Sequence, residues 1–330
     1  MGNATNTSFW RAAVGAAVAL SAIAVGAAPA TAQEAPAFDR VVTIGDSYAS
    51  GTGIHADATS YDDQGPLVHE FAPSLDGGSI ACLRELDTTP GPRVAAALGA
   101  DFDMVACAGG VIDNIDAQLA VADLGSGAGS LALLTIGGND VRTARGESWP
   151  EALIRCITAW RCDRDSGNQL SNLDDVQTRL TALYQQIGTA HPDLTLRVYG
   201  YPRLMQPGWF CSGVLGLGRS EGRFIDGQAD RLNATIAAAV NAADASTPAD
   251  IGFVDVVDEF DGNGACEGSS SRRGVNSIVF GNSITRTTNP DGTVSENVVD
   301  LGILPSAASF HPSQLGYDAY FDALVNNFGG

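Results

Sequence analysis

The stretch Arg40-Val-Val-Thr-Ile-Gly-Asp-Ser-Tyr-Ala-Ser-Gly51 decides how this chain is read. Val41 to Ile44 form a β-branched run that stops at Gly45-Asp46, the pattern of a buried strand that turns sharply at its carboxyl end. Open α/β sheets place their ligands outside the carboxyl ends of strands. Ser47 therefore stands where a substrate would meet both its hydroxyl and its backbone N–H. Gly, Asp and Ser also favour turns, so this segment alone leaves plain turn chemistry open.

Two more apolar runs end the same way. Leu131 to Ile136 leads into Gly137-Gly138-Asn139-Asp140, and Val105-Ala-Cys-Ala108 leads into Gly109-Gly110. Strand-like runs at 40–45, 102–107, 131–136, 195–200 and 251–257 alternate with helical spacing at 172–190, 219–243 and 313–327. That alternation predicts a parallel sheet with helices on both faces. With no Pro- or Ser-rich linker and no internal repeat, residues 33–330 read as one α/β sandwich domain. The Gly-rich stretches 50–80 and 261–297 are expected as long loops around the site.

Residues 1–32 are set apart from that domain. Arg11 is their only charge, Ala12 to Ala28 is apolar and rich in small residues, and Ala30-Thr-Ala32 supplies a cleavage pattern. This is the form of a secretory signal peptide; a single membrane anchor is the rival, for which the stretch is only marginally long. The expectation is a secreted, extracellular protein that does not insert stably into membranes.

The 330 residues carry 18 basic and 38 acidic side chains, net −20, and every basic residue is arginine. The absence of lysine excludes a P-loop lysine, a Schiff-base lysine and a Ser-Lys dyad. The acidic balance argues against nucleic acid and against attraction to anionic membranes. All six cysteines, Cys82, Cys107, Cys156, Cys162, Cys211 and Cys266, fall after the leader. An even count in an oxidising compartment predicts three disulfides among fifteen pairings. Sequential pairing, 82–107, 156–162 and 211–266, closes the shortest loops. No Cys-x-x-Cys pair occurs and the four histidines are scattered, so neither a metal nor any other cofactor is expected.

In order and local context, Ser47, Gly109, Asn139 and His311 resemble the four sequence blocks of the GDSL or SGNH hydrolases. The match is Gly45-Asp46-Ser47, a strand-end glycine, Gly137-Gly138-Asn139-Asp140 and His311-Pro312, and it spans residues 40 to about 320. The resemblance implies a three-layer α/β/α sandwich with a five-stranded parallel sheet, SGNH hydrolase-like and flavodoxin-like. It implies Ser47 as nucleophile, activated by an imidazole because a free hydroxyl attacks an ester poorly. It also implies an oxyanion hole of the Ser47 N–H, the Gly109 N–H and the Asn139 amide. Gly109-Gly110 and the Gly-Gly-Asn-Asp stretch can each also be read as turns. Secreted actinobacterial members, which this chain resembles, share the sequential disulfide pattern.

His311 is the favoured base. His191 precedes Pro192 at a helix end, and His55 and His69 sit in the polar loop after Ser47. The family places Asp three residues before its histidine, but here Ser306-Ala307-Ala308-Ser309-Phe310 precede His311 and no carboxylate lies between Asp300 and His311. A Ser-His dyad is therefore expected, with a backbone carbonyl of Ala308 or Ser309 orienting the ring; Asp300 and Asp318 are the carboxylates to test against it. Asp46 and Asp140 read as loop-fixing acceptors. Gly45-Asp-Ser-Tyr-Ala49 lacks the Gly-x-Ser-x-Gly elbow and Ser47 follows the first strand, not a mid-chain one, which argues against an α/β-hydrolase.

The function implied is a monomeric carboxylic-ester hydrolase working through an acyl-enzyme. Acyl-lipid esters come first as substrate, as for a lipase or esterase, and a polysaccharide O-acetylesterase is the alternative. A secreted binding or adhesion protein with a degenerate site is the alternative of another class.

Overall fold

The computed structural model describes residues 38–54, 79–80, 82–125, 129–158, 161–207, 211, 214, 217–288 and 294–329. Residues 1–32, expected as a leader, and His55 and His69 lie outside them. In chain order the strands are β1 (Arg40–Gly45), β2 (Ser79–Ile80), β3 (Asp101–Met104), β4 (Ser130–Thr135), β5 (Thr195–Tyr199), β6 (Asp250–Val254), β7 (Phe280–Thr288) and β8 (Val294–Pro305). The helices are α1 (Ser47–Ser50), α2 (Pro90–Leu98), α3 (Ile115–Val121), α4 (Trp149–Thr158), α5 (Leu173–Ala190), α6 (Arg219–Asp244) and α7 (Gln314–Gly329).

Five strands form a parallel sheet in the order β3-β1-β4-β5-β6. Side chains alternate across a strand, and here both faces are buried. Val42 and Ile44 of β1 and Ala132 and Leu134 of β4 pack with Ile115, Val176, Leu180 and Leu232 of α3, α5 and α6. Val41, Leu131 and Leu133 point the other way, toward Val94 of α2 and Tyr317, Tyr320 and Leu324 of α7. A central strand buried on both faces reads as a continuous apolar run, which is why β1 and β4 stand out in the sequence. The arrangement is the expected three-layer α/β/α sandwich.

The order places β1 between β3 and β4, so the chain leaves β1 for one side and later crosses to the other. The carboxyl ends of β1 and β4 face the resulting crevice, the place where such sheets bind ligands. At Gly45 the chain must turn at once: its φ is +127°, and an added Cβ would lie 2.1 Å from the Thr135 carbonyl oxygen. Gln118 clamps the same residue, accepting the Gly45 N–H at 2.7 Å and donating to its carbonyl at 2.9 Å.

One expectation is overturned. Residues 261–297 are not a continuous loop: β7 runs antiparallel to β8, with Ser283 opposite Val299, and β2 pairs on its other side. Ile284-Thr285, Thr287-Thr288 and Val298-Val299 are β-branched pairs that suit strands. They are interleaved with Gly, Asn and Ser, which hid the strands from a reading of periodicity. Of the other expected loop, 50–80, residues 55–78 lie outside the described residues.

The disulfides join Cys82 to Cys107, Cys156 to Cys162 and Cys211 to Cys266, the sequential pairing. They span separations of 25, 6 and 55 residues. A cross-link removes more unfolded-chain entropy as its loop lengthens. Replacing both Cys211 and Cys266 by Ser should therefore cost about 4 kcal/mol, against about 2 kcal/mol for the Cys156/Cys162 pair. Denaturant unfolding of the two double variants measures this, and equal losses would contradict the loop-entropy account.

Candidate active site

Ser47 is the first residue of α1, capped by Asp46, whose carboxylate accepts the Tyr48 N–H at 2.9 Å. Asp46 is buried and also accepts the Tyr201 hydroxyl at 2.5 Å. Burial pushes its pKa up to about 7 against the pull of those donors. It thus holds the serine turn, as a loop-fixing acceptor should.

His311 arrives from the other end of the chain. Its Nε2 lies 2.7 Å from Ser47 Oγ, and its Nδ1 lies 3.0 Å from the Ser309 carbonyl oxygen. A carbonyl can only accept, so Nδ1 carries the proton and Nε2 presents its lone pair to the serine hydroxyl. The loop is shaped to hold this pose. Phe310 adopts φ +60°, a left-handed conformation that costs a non-glycine residue about 1 kcal/mol or more, and its carbonyl accepts the Tyr48 hydroxyl at 2.6 Å. Asn276 donates to the carbonyls of Gly53 at 2.7 Å and Ala308 at 3.2 Å, tying the loop after Ser47 to the loop before His311.

Asp318 does not serve the imidazole; it pairs with Arg93 at 2.8 Å. Asp300 lies within β8, its backbone opposite Asn282. Burial lowers the His311 pKa from 6.5 to about 4, against the raising effect of hydrogen bonds with the Ser309 and Ala307 backbone. His191 ends α5, donating its N–H to the Ile187 carbonyl.

Gly109 and Asn139 come to the same crevice, each after its own strand. Both line a cavity of about 340 Å³ together with Ser47 and His311. Gly110 spends its N–H on the Cys107 carbonyl at 3.0 Å, so it belongs to the turn. The Asn139 amide donates to the Gly110 carbonyl at 2.9 Å, which orients it and leaves its second hydrogen for another acceptor. Asp140, next to it, accepts the Ile112 N–H at 3.0 Å and pairs with Arg179 at 3.2 Å. Burial pushes the Asp140 pKa up to about 6. Apolar side chains of Leu83, Trp149, Leu153, Ile154, Leu204 and Leu232 form much of the remaining wall.

Two solved structures share this architecture. Phospholipase A1 from Streptomyces albidoflavus NA297 superposes with a TM-score of 0.61 at 22% identity, covering 88% of this chain and 100% of that one. The extracellular lipase from Streptomyces rimosus gives 0.60 at 23% identity, covering 87% and 99%. The fold is that of the SGNH hydrolases. In sequence, Lipase 1 of Streptomyces coelicolor (strain ATCC BAA-471 / A3(2) / M145) is 29% identical over 275 residues, 81% of this chain and 87% of that protein. No family model matches.

Within this SGNH-type scaffold the structure brings together all four residues singled out from sequence. It adds three that sequence reading missed: Tyr48, Tyr201 and Asn276. Tyr201 was within reach, since Gly200-Tyr201-Pro202 directly follows β5 and so obeys the strand-end rule that found the others. Tyr48 and Asn276 act through contacts across more than two hundred residues, for which no local pattern exists. Among the described residues, no three His, Cys, Asp or Glu side chains cluster to hold a metal ion, and no helix is long and apolar enough to cross a membrane.

The lowered His311 pKa makes a measurable prediction. The unfolded chain takes up a proton near pH 6.5, while the folded chain resists it until about pH 4. The unfolded state thus binds more protons between those values, and stability should fall as pH drops through that window. An NMR titration should place the His311 midpoint below 5.5, and His311→Gln should flatten that part of the stability curve. A midpoint at or above 6.5 would show an imidazole open to water.

Proposed function

We propose that this protein is a serine carboxylic-ester hydrolase that cleaves acyl-lipid esters through an acyl-enzyme. The observation that carries the reading is the 2.7 Å approach of His311 Nε2 to Ser47 Oγ at the wall of a largely apolar cavity. The fold likeness to a phospholipase A1 and a lipase, and the sequence likeness to Lipase 1, support the same class. The cavity volume falls in the range of small-molecule sites, roughly 300–1,000 Å³.

The chemistry follows from the geometry. Ser47 Oγ attacks the ester carbonyl carbon while its proton passes to His311 Nε2. The negative charge on the carbonyl oxygen is met by the N–H groups of Ser47 and Gly109 and the Asn139 amide, the kind of stabilisation that usually supplies the largest catalytic effect. His311 returns the proton to the leaving alkoxide, leaving an acyl group on Ser47. A water, deprotonated by the same nitrogen, then releases the acid. The Ser309 carbonyl holds the ring throughout, and its dipole partly offsets the imidazolium charge. The apolar wall from Trp149 to Ile154 and around Leu232 receives the acyl chain. The leader at 1–32 and three disulfides fit an exported, single-domain, monomeric enzyme over residues 33–330.

Ser47→Ala and His311→Ala should each lower kcat by about 10⁴-fold or more, as loss of a nucleophile or its base does elsewhere. Asp300→Asn and Asp318→Asn should stay within about tenfold, the scale of one secondary hydrogen bond. A collapse at either aspartate, with the fold intact by circular dichroism, would replace the dyad by a triad with a displaced acid.

On p-nitrophenyl esters from acetyl to palmitoyl, kcat/KM should peak well beyond acetyl. Ile154→Trp should penalise octanoyl and longer esters by about tenfold or more relative to acetyl, because extra bulk at an apolar wall excludes methylenes. A wild-type optimum at acetyl would favour the polysaccharide O-acetylesterase reading. No hydrolysis of any member would favour a binding protein.

A further inference from the structure

Beside the serine and histidine, a buried hydroxyl bonded to two separate turns belongs to a residue with no part in the proposed chemistry. The hydroxyl of Tyr201 donates to Asp46 Oδ2 at 2.5 Å and accepts the Gly138 N–H at 2.9 Å. Asp46 is the cap of the turn that carries Ser47; Gly138 directly precedes Asn139. One oxygen atom thus joins two turns that follow two different strands, β1 and β4.

The tyrosine is itself fixed. Its main chain is gripped from α6 by Asn233, which accepts the Tyr201 N–H at 2.8 Å and donates to the Tyr201 carbonyl at 2.7 Å. Tyr320 ties down the preceding residue by donating to the Gly200 carbonyl at 3.0 Å. The ring meets Tyr48 edge-on, with centroids 5.0 Å apart, and Tyr201 is only 6% exposed. On the far side there is no slack: a Cβ added to Gly138 would sit 2.9 Å from Tyr201 Cζ. A side chain held at its backbone, along its ring and at its hydroxyl acts as a spacer of set length.

We propose that Tyr201 is a positioning residue: its buried hydroxyl cross-links the serine turn to the asparagine turn and so sets the separation between the nucleophile and the Asn139 amide. The inference rests on the hydrolase reading above. Tyr201 borders the cavity, but its hydroxyl is committed to Asp46 and Gly138, so by this account it acts on the reacting atoms through Asp46 and through Gly138-Asn139. Small displacements of positioned groups are costly, with about 1 Å worth up to about a hundredfold in rate. Ground-state binding of the acyl chain depends on the apolar wall and should not notice the change.

The test is a double-mutant cycle with a chromogenic ester of medium chain length. Tyr201→Phe should lower kcat about 10- to 100-fold with KM within about twofold, and should slow covalent inactivation of Ser47 by an alkyl phosphonate in parallel. In an Asn139→Ala background the same replacement should cost less than about threefold, because the group it positions is gone. Gly138→Ala, which presses on the ring while keeping the hydroxyl, should reproduce the kcat-selective loss and carries the test if Tyr201→Phe does not fold. Wild-type kcat in folded Tyr201→Phe, or an equal penalty in both backgrounds, would overturn the proposal while inactive Ser47→Ala still upheld the hydrolase reading. An active Ser47→Ala would overturn that reading and this inference with it.

Discussion

A hydroxyl and an imidazole 264 residues apart in the chain are held at 2.7 Å, and both sit on turns. A turn by itself is a soft element, so the contact depends on what lies beneath and beside it. Beneath is a parallel sheet buried on both faces, whose strands end in register: Gly45 of β1 stands opposite Thr135 of β4. Beside it is a set of hydrogen bonds that cross between turns. Tyr48 donates to the Phe310 carbonyl, Tyr317 donates to the Tyr48 carbonyl at 3.0 Å, and Asn276 spans the loops on either side. The left-handed Phe310 is tolerated because these contacts over-determine its position.

The orienting group for His311 is a carbonyl dipole where the family pattern has a carboxylate. A buried carboxylate beside the ring would favour the charged imidazolium and raise its pKa. A carbonyl fixes the tautomer and orientation with far less of that effect. The ring, largely enclosed, is therefore held neutral well below its ordinary range. The two acids nearest the site in sequence, Asp46 and Asp140, are both committed to backbone amides and neighbouring side chains. Each fixes a turn, and removing either would leave buried donors without partners, a cost of about 1–3 kcal/mol apiece.

The disulfides serve the same end. Cys107 lies two residues before Gly109, and the Ala108 N–H donates to the Cys82 carbonyl at 3.0 Å, so the 82–107 link sits directly behind the Gly109 turn. Cys156 belongs to α4, whose Leu153 and Ile154 line the cavity. Two of the three cross-links thus stiffen segments that border the site.

From its sequence alone, this chain determined the parallel sheet, the strand ends that deliver Ser47, Gly109 and Asn139, and the lack of an acid before His311. These are local facts: apolar runs buried on both faces, and turn residues that stop them. The β7–β8 pair was obscured because its β-branched residues are broken up by small polar ones. What only the tertiary structure decided is which groups fix the turns relative to one another. Tyr201, Asn276 and Gln118 are ordinary polar residues in sequence, and they matter because folding places them between segments that are distant along the chain. The choice of Ser309 over Ala308 as the carbonyl facing Nδ1 was likewise open in sequence. It is settled by the left-handed turn at Phe310, a backbone conformation that no composition or period encodes.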